Sequence, residues 1–138
     1  MSDEKIYYLV WSDSRSFYLS RYLRYGFRHV HAFYFTGSHC ILLDPSLRCF
    51  NVLNLNVGRM EDFIHFYSEQ NPEHTILKVN VLPNPDMSIW RLGAISCVST
   101  IQYLLGIYWP LTVTPYALYS RLLKDTPSHI RIIQDGKL

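Results

Sequence analysis

His29-Val30-His31-Ala32-Phe33-Tyr34-Phe35, then Thr36-Gly37-Ser38, then His39-Cys40-Ile41-Leu42-Leu43-Asp44-Pro45, is the stretch whose reading decides the fold. Two runs rich in aromatic and branched residues, each of strand length, flank a short glycine-bearing connection, which predicts an antiparallel hairpin. Leu47 to Leu55 is a third run of the same kind and extends the hairpin into a meander.

Upstream, Lys5 to Trp11 is almost wholly apolar and aromatic and reads as a buried strand, followed by the turn and cap chemistry of Ser12-Asp13-Ser14. A helix is expected from there to Gly26, with Leu19, Tyr22 and Leu23 on one face. Arg21, Arg24 and Arg28 share another face, which reads as a solvated helix surface.

Downstream, Met60, Phe63, Ile64 and Tyr67 recur at helical spacing before the Asn71-Pro72 stop, and Thr75 to Leu82 returns to strand. Pro83-Asn84-Pro85-Asp86 is an irregular connection. Val98, Ile101, Leu104 and Leu105 define a further helix, and Thr114-Pro115 caps another that carries Leu118, Leu122 and Leu123. A last short strand is expected over His129 to Ile133. The order β-α-β-β-β-α-β-α-α-β, without repeat or linker, predicts one α+β domain over residues 1–138, a mostly antiparallel sheet packed by helices.

Composition agrees with a packed domain. Of 138 residues, 49% are hydrophobic, 15% aromatic and only 17% charged, which excludes disordered, coiled-coil and low-complexity classes. A net charge of +2 is too weak a field to argue for nucleic acid as a partner. The most apolar stretch, near Leu104 to Leu111, is short and broken by Gly106 and Pro110, so no membrane insertion is expected. The start Met-Ser-Asp-Glu-Lys lacks the pattern of an export signal, and Cys40, Cys49 and Cys97 follow neither a disulfide nor a zinc-finger spacing. Thiols in a reducing compartment are the expectation.

Cys97 carries the chemical signal. It opens a helix behind Ser96, where the positive helix end favours a thiolate and free backbone N–H groups can hold an oxyanion. Possible partners come from the hairpin. Because side chains alternate along a strand, His29 and His31 share one face, as do Cys40 and Asp44 on the neighbouring strand. A turn centred on Gly37-Ser38 pairs positions summing to 75 and sets His31 opposite Asp44, whereas one centred on Thr36-Gly37 sums to 73 and selects His29. Either register places an imidazole beside a carboxylate that can orient it, leaving the other ring nitrogen to take a thiol proton. The histidine opposite Asp44 is expected to be the base. A rival arrangement would gather His29, His31, Cys40 and Asp44 around zinc, although their spacing is not diagnostic.

Phe27-Arg28-His29-Val30 followed by Ile41-Leu42-Leu43-Asp44-Pro45 resembles the histidine strand and next strand of papain-like NlpC-type peptidases and transglutaminase-like proteins. Ser96-Cys97-Val98-Ser99 leading to Tyr103-Leu104-Leu105-Gly106 resembles their nucleophile helix. Histidine precedes cysteine here, the order of the circularly permuted branch, which includes lecithin:retinol acyltransferase-like proteins and small phage-encoded proteins. The resemblance implies a cysteine peptidase or amidase with Cys97 as nucleophile, Asp44 orienting, and His29 as base, with His31 as the alternative base. It implies a peptide or amide substrate such as a cell-wall peptide, and no cofactor. It also implies a viral protein working inside an infected cell or carried in a virion. On the same fold, a chain without activity would serve as a phage structural or host-factor-binding protein.

Overall fold

Tyr7, Tyr8, Leu9, Val10 and Trp11 are all buried, which a strand tolerates only when both of its faces are covered. In the computed structural model, which describes residues 5–13, 23–35, 39–45, 50–56, 58–81, 97–107, 109 and 111–136, these residues form the middle of β1 (Lys5–Ser12). The strand is paired antiparallel on one side with β2 (His29–Phe35) and on the other with β5 (Thr75–Val81). With β3 (His39–Pro45), β4 (Phe50–Asn56) and β6 (Ile130–Gln134), the sheet runs β4-β3-β2-β1-β5-β6, every neighbour antiparallel.

The two faces of β1 feed two cores. Tyr7, Leu9 and Trp11 meet α2 (Cys97–Leu105) and α3 (Pro115–Asp125), through Val98, Ile101, Leu105, Leu118 and Leu122. Tyr8 and Val10 meet α1 (Met60–Gln70), through Ile64, Phe63 and Tyr67. The result is an α+β domain in three layers, as the alternation of β1 requires. The Trp11 indole N–H, deep in the first core, donates to the Pro115 carbonyl at 2.8 Å. This ties the central strand to the start of α3.

Local chemistry sets the helix ends. Thr114 Oγ1 accepts from Ala117 N at 3.1 Å with Pro115 in the first turn, as the Thr-Pro pair predicts. Gly106, at φ 71°, closes α2: its N–H reaches Tyr103 O and the Ile107 N–H reaches Gln102 O. The buried Gln102 side chain then clamps the following loop, donating to Thr112 O and accepting from Trp109 N, each at 2.9 Å. The helix bearing Cys97 therefore ends on a fixed anchor.

Several boundaries and one surface differ from expectation. Leu47 to Cys49, Leu82 to Ser96 and Ser14 to Tyr22 lie outside the described residues, and with them most of the helix expected before Gly26. Leu23 to Arg28 form bends and turns, with Gly26 at φ 81°. Arg28 is not on a solvated helix face. It is buried, and its Nη1 donates to Asp13 Oδ2 at 3.2 Å, because the turn carries the chain inward to start β2. His129 belongs to a short 3-10 turn, Pro127–His129, that leads into β6. Among the described residues no helix is long and apolar enough to cross a membrane.

Candidate active site

The site begins with the way β2 starts. Asp13, just past β1, accepts from Gly26 N at 3.0 Å through Oδ1 and from Arg28 through Oδ2. Arg28 N donates to Ser12 O at 3.0 Å. The chain is thereby fixed on both sides of the turn, and His29 enters the sheet opposite Ser12 with its side chain only 8% exposed.

His29 Nε2 lies 2.5 Å from Asp44 Oδ1, a charge-assisted hydrogen bond in which the ring N–H donates to the carboxylate. The Cys97 thiol lies close enough to the same ring to help raise its pKa. With Nε2 committed to Asp44, Nδ1 is the nitrogen that remains for the thiol. Burial alone would lower the pKa of His29. The hydrogen bonds to Cys97 and Asp44, together with the negative charges of both, outweigh it and raise the pKa above the usual 6.5.

The β2–β3 ladder runs from Ala32↔Leu43 to Phe35↔Cys40, so paired positions sum to 75. Carried one residue further, that register sets His31, not His29, opposite Asp44. The expectation that the directly opposed histidine would take the aspartate does not hold. Asp44 reaches instead to its diagonal neighbour, which right-handed strand twist brings within range of a carboxylate. His31 faces α1, with its Nε2 3.4 Å from Tyr67 Oη, and that hydroxyl is 2.9 Å from His74 Nδ1. Burial, then the charge His29 carries when protonated, pushes the pKa of His31 down to about 4, so this ring is neutral near pH 7. Burial likewise lowers His74 and pushes Tyr67 up to about 12.

The hairpin histidines, Asp44 and the helix-start thiol thus come together, and Cys40 does not. Cys40 pairs with Phe35 at the opposite end of the hairpin, packed with Tyr8, Val10 and Phe33, and burial pushes its thiol up to about 11. The four-residue zinc set is corrected accordingly. Among the described residues, His29, His31 and Asp44 alone offer ligand atoms within 4.8 Å of one another. Cys49 and the Ser96 cap lie outside the described residues.

Sequence reading missed Asp13, Tyr67 and His74. Asp13 was legible as turn chemistry, but its service to Arg28 and Gly26 depends on where β2 begins. Tyr67 matched a core spacing, and its hydroxyl emerges as a partner only when α1 lies across the histidines. Comparison of the chain with family models, curated proteins and solved structures returned no match.

Proposed function

We propose that the protein is a cysteine-dependent hydrolase of the permuted papain-like, NlpC-type kind, cleaving an amide bond in a peptide such as one derived from peptidoglycan. One observation carries this reading: a buried imidazole is held by a carboxylate, Asp44, at 2.5 Å, with the Cys97 thiol of α2 near enough to raise its pKa. A raised imidazole pKa makes His29 a better acceptor for the thiol proton.

Cys97 Sγ attacks the amide carbonyl carbon, and the carbonyl π electrons move to oxygen, where the Cys97 backbone N–H can donate to the oxyanion. Collapse of the adduct breaks the C–N bond, and the proton on His29 Nδ1 goes to the departing amine. Water then attacks the thioester while His29 takes one of its protons. The carboxylic acid leaves and the thiolate–imidazolium pair is restored. Asp44 holds the ring orientation throughout. A closely placed base with an oriented carboxylate is the arrangement that acyl transfer by a thiol requires.

The test is turnover of muropeptides and of a panel of peptide amides and esters by the wild type, with Cys97→Ala and His29→Ala as controls. Hydrolysis abolished by both substitutions is expected. A complete absence of turnover across the panel would overturn the enzymatic reading in favour of a binding domain.

A further inference from the structure

The geometry points to a second property of this site: His29, His31 and Asp44 form a three-ligand site for a divalent cation of the zinc class, and its occupation switches the thiol chemistry off. The binding half stands on the ligand cluster alone, while the switch rests on the hydrolase reading above.

The three side chains present two imidazole nitrogens and a carboxylate oxygen within 4.8 Å of one another. Two histidines and an acid are a common donor set for zinc and related ions, whose metal–nitrogen and metal–oxygen bonds of about 2.0–2.2 Å place tetrahedral ligands ~3.4 Å apart. His29 and Asp44 would separate slightly from their 2.5 Å contact, and the wider pairs would close. The Asp44 side chain is 36% exposed and has room to turn. The His29 and His31 rings already lie near parallel, with centroids 6.1 Å apart and planes at 30°. Both leave from one face of β2, so a cation between them needs no change of register. Beyond His31, Tyr67 Oη sits 3.4 Å from Nε2, an outer-shell partner of the kind that orients a ligating imidazole.

The switch follows from the two nitrogens of His29. A neutral imidazole has one N–H and one lone pair. A cation taking the Nε2 lone pair displaces the proton that Nε2 shares with Asp44 to solvent, and the remaining ring proton must then sit on Nδ1, facing Cys97. That nitrogen has no lone pair with which to accept the thiol proton. The proton left on Nδ1 belongs to a neutral, metal-bound ring, a weaker acid than the imidazolium, because giving it to a departing amine would leave an imidazolate. Both proton transfers of the proposed cycle stop while the sulfur itself stays unligated.

The experiment uses full-length protein stripped with chelator. Zn2+ binding is measured by competition with a chromophoric chelator, and Co2+ by its visible d–d spectrum. One equivalent should bind with equal affinity in the wild type and in Cys97→Ala, without a cobalt–thiolate charge-transfer band, and at least tenfold more weakly in His31→Ala. Nitrogen NMR of histidine-labelled Cys97→Ala should show His29 becoming metal-bound at Nε2 and protonated at Nδ1 on adding Zn2+. Binding no tighter than in His31→Ala, a thiolate band lost in Cys97→Ala, or unchanged His29 resonances would each overturn the inference. All of these readouts are independent of turnover, so failure to find a substrate would count against the hydrolase reading and leave the metal site to be decided on its own.

Discussion

Replacing Asp44 by asparagine keeps the outline of the side chain and removes its charge. The carboxylate holds His29 Nε2 at 2.5 Å, with the imidazole 8% and the carboxylate 36% exposed. A hydrogen bond to a charged group contributes about 1.5–3 kcal/mol, and solvent screening on the open flank of Asp44 argues for the lower end of that range. A loss of about 1.4 kcal/mol of imidazolium stabilisation corresponds to one unit of pKa. Asp44→Asn should therefore move the His29 titration of metal-free protein down. The direction is fixed by the sign of the charge removed. Ring NMR of histidine-labelled protein reads the pKa directly, and the pH profile of Cys97 alkylation by iodoacetamide reads its consequence for the thiol. With the thiolate–imidazolium pair disfavoured by the same free energy, turnover in the proposed hydrolysis should fall by up to about tenfold. Superposable titration curves for the two proteins, or an upward shift in the variant, would refute the reasoning.

Alkylation near neutral pH should modify Cys97 well before Cys40, whose buried thiol is pushed up to about 11; peptide mass spectrometry showing equal rates would contradict that order. His31, held neutral down to about 4 against an ordinary 6.5, lets the unfolded chain bind its proton first. Stability should therefore fall as pH drops through that window, by up to about 3 kcal/mol from this residue, and His31→Gln should flatten the slope in urea unfolding with chelator present. His29 runs the opposite way: its contribution is intact below 6.5 and is lost as pH rises through its raised folded value, so His29→Gln should remove that loss of stability above 6.5. Ile101→Ala, in the fully buried contact of α2 with the sheet, should cost about 2–5 kcal/mol in denaturant unfolding, with Cys97 alkylation slowed in the folded protein.

The strands and helices were legible because each carries its own periodicity or cap: the hairpin runs, the spacing from Met60 to Tyr67, the Thr114-Pro115 cap. The meeting of His29, Asp44 and Cys97 was legible as a set of residue types. The pairing was not. Index arithmetic left both registers open; the observed one sets His31 opposite Asp44, yet the carboxylate bonds the diagonal His29 while His31 meets Tyr67. The fate of Arg28 was hidden for a similar reason. Its spacing from Arg24 suits a helix, whereas the left-handed Gly26 turns the chain before that helix could reach it. What escapes a reading of sequence here is contact between segments far apart along the chain.

That same separation has a consequence for when the protein acquires its chemistry. β1 cannot be flanked on both sides until β5 has been made, since its pairing spans Lys5↔Val81, and α2 follows later still. Contacts of such long range are slow to form, because chain entropy is lost before they reward it. A nascent chain that has emerged only through β3 holds a histidine and an aspartate with nothing to activate. The sulfur arrives last, and it comes near His29 only on a surface whose central strand is already enclosed. If the proposed hydrolase reading holds, newly made or partly unfolded copies would carry an unarmed thiol, so that quality of folding and capacity for reaction would be one and the same checkpoint.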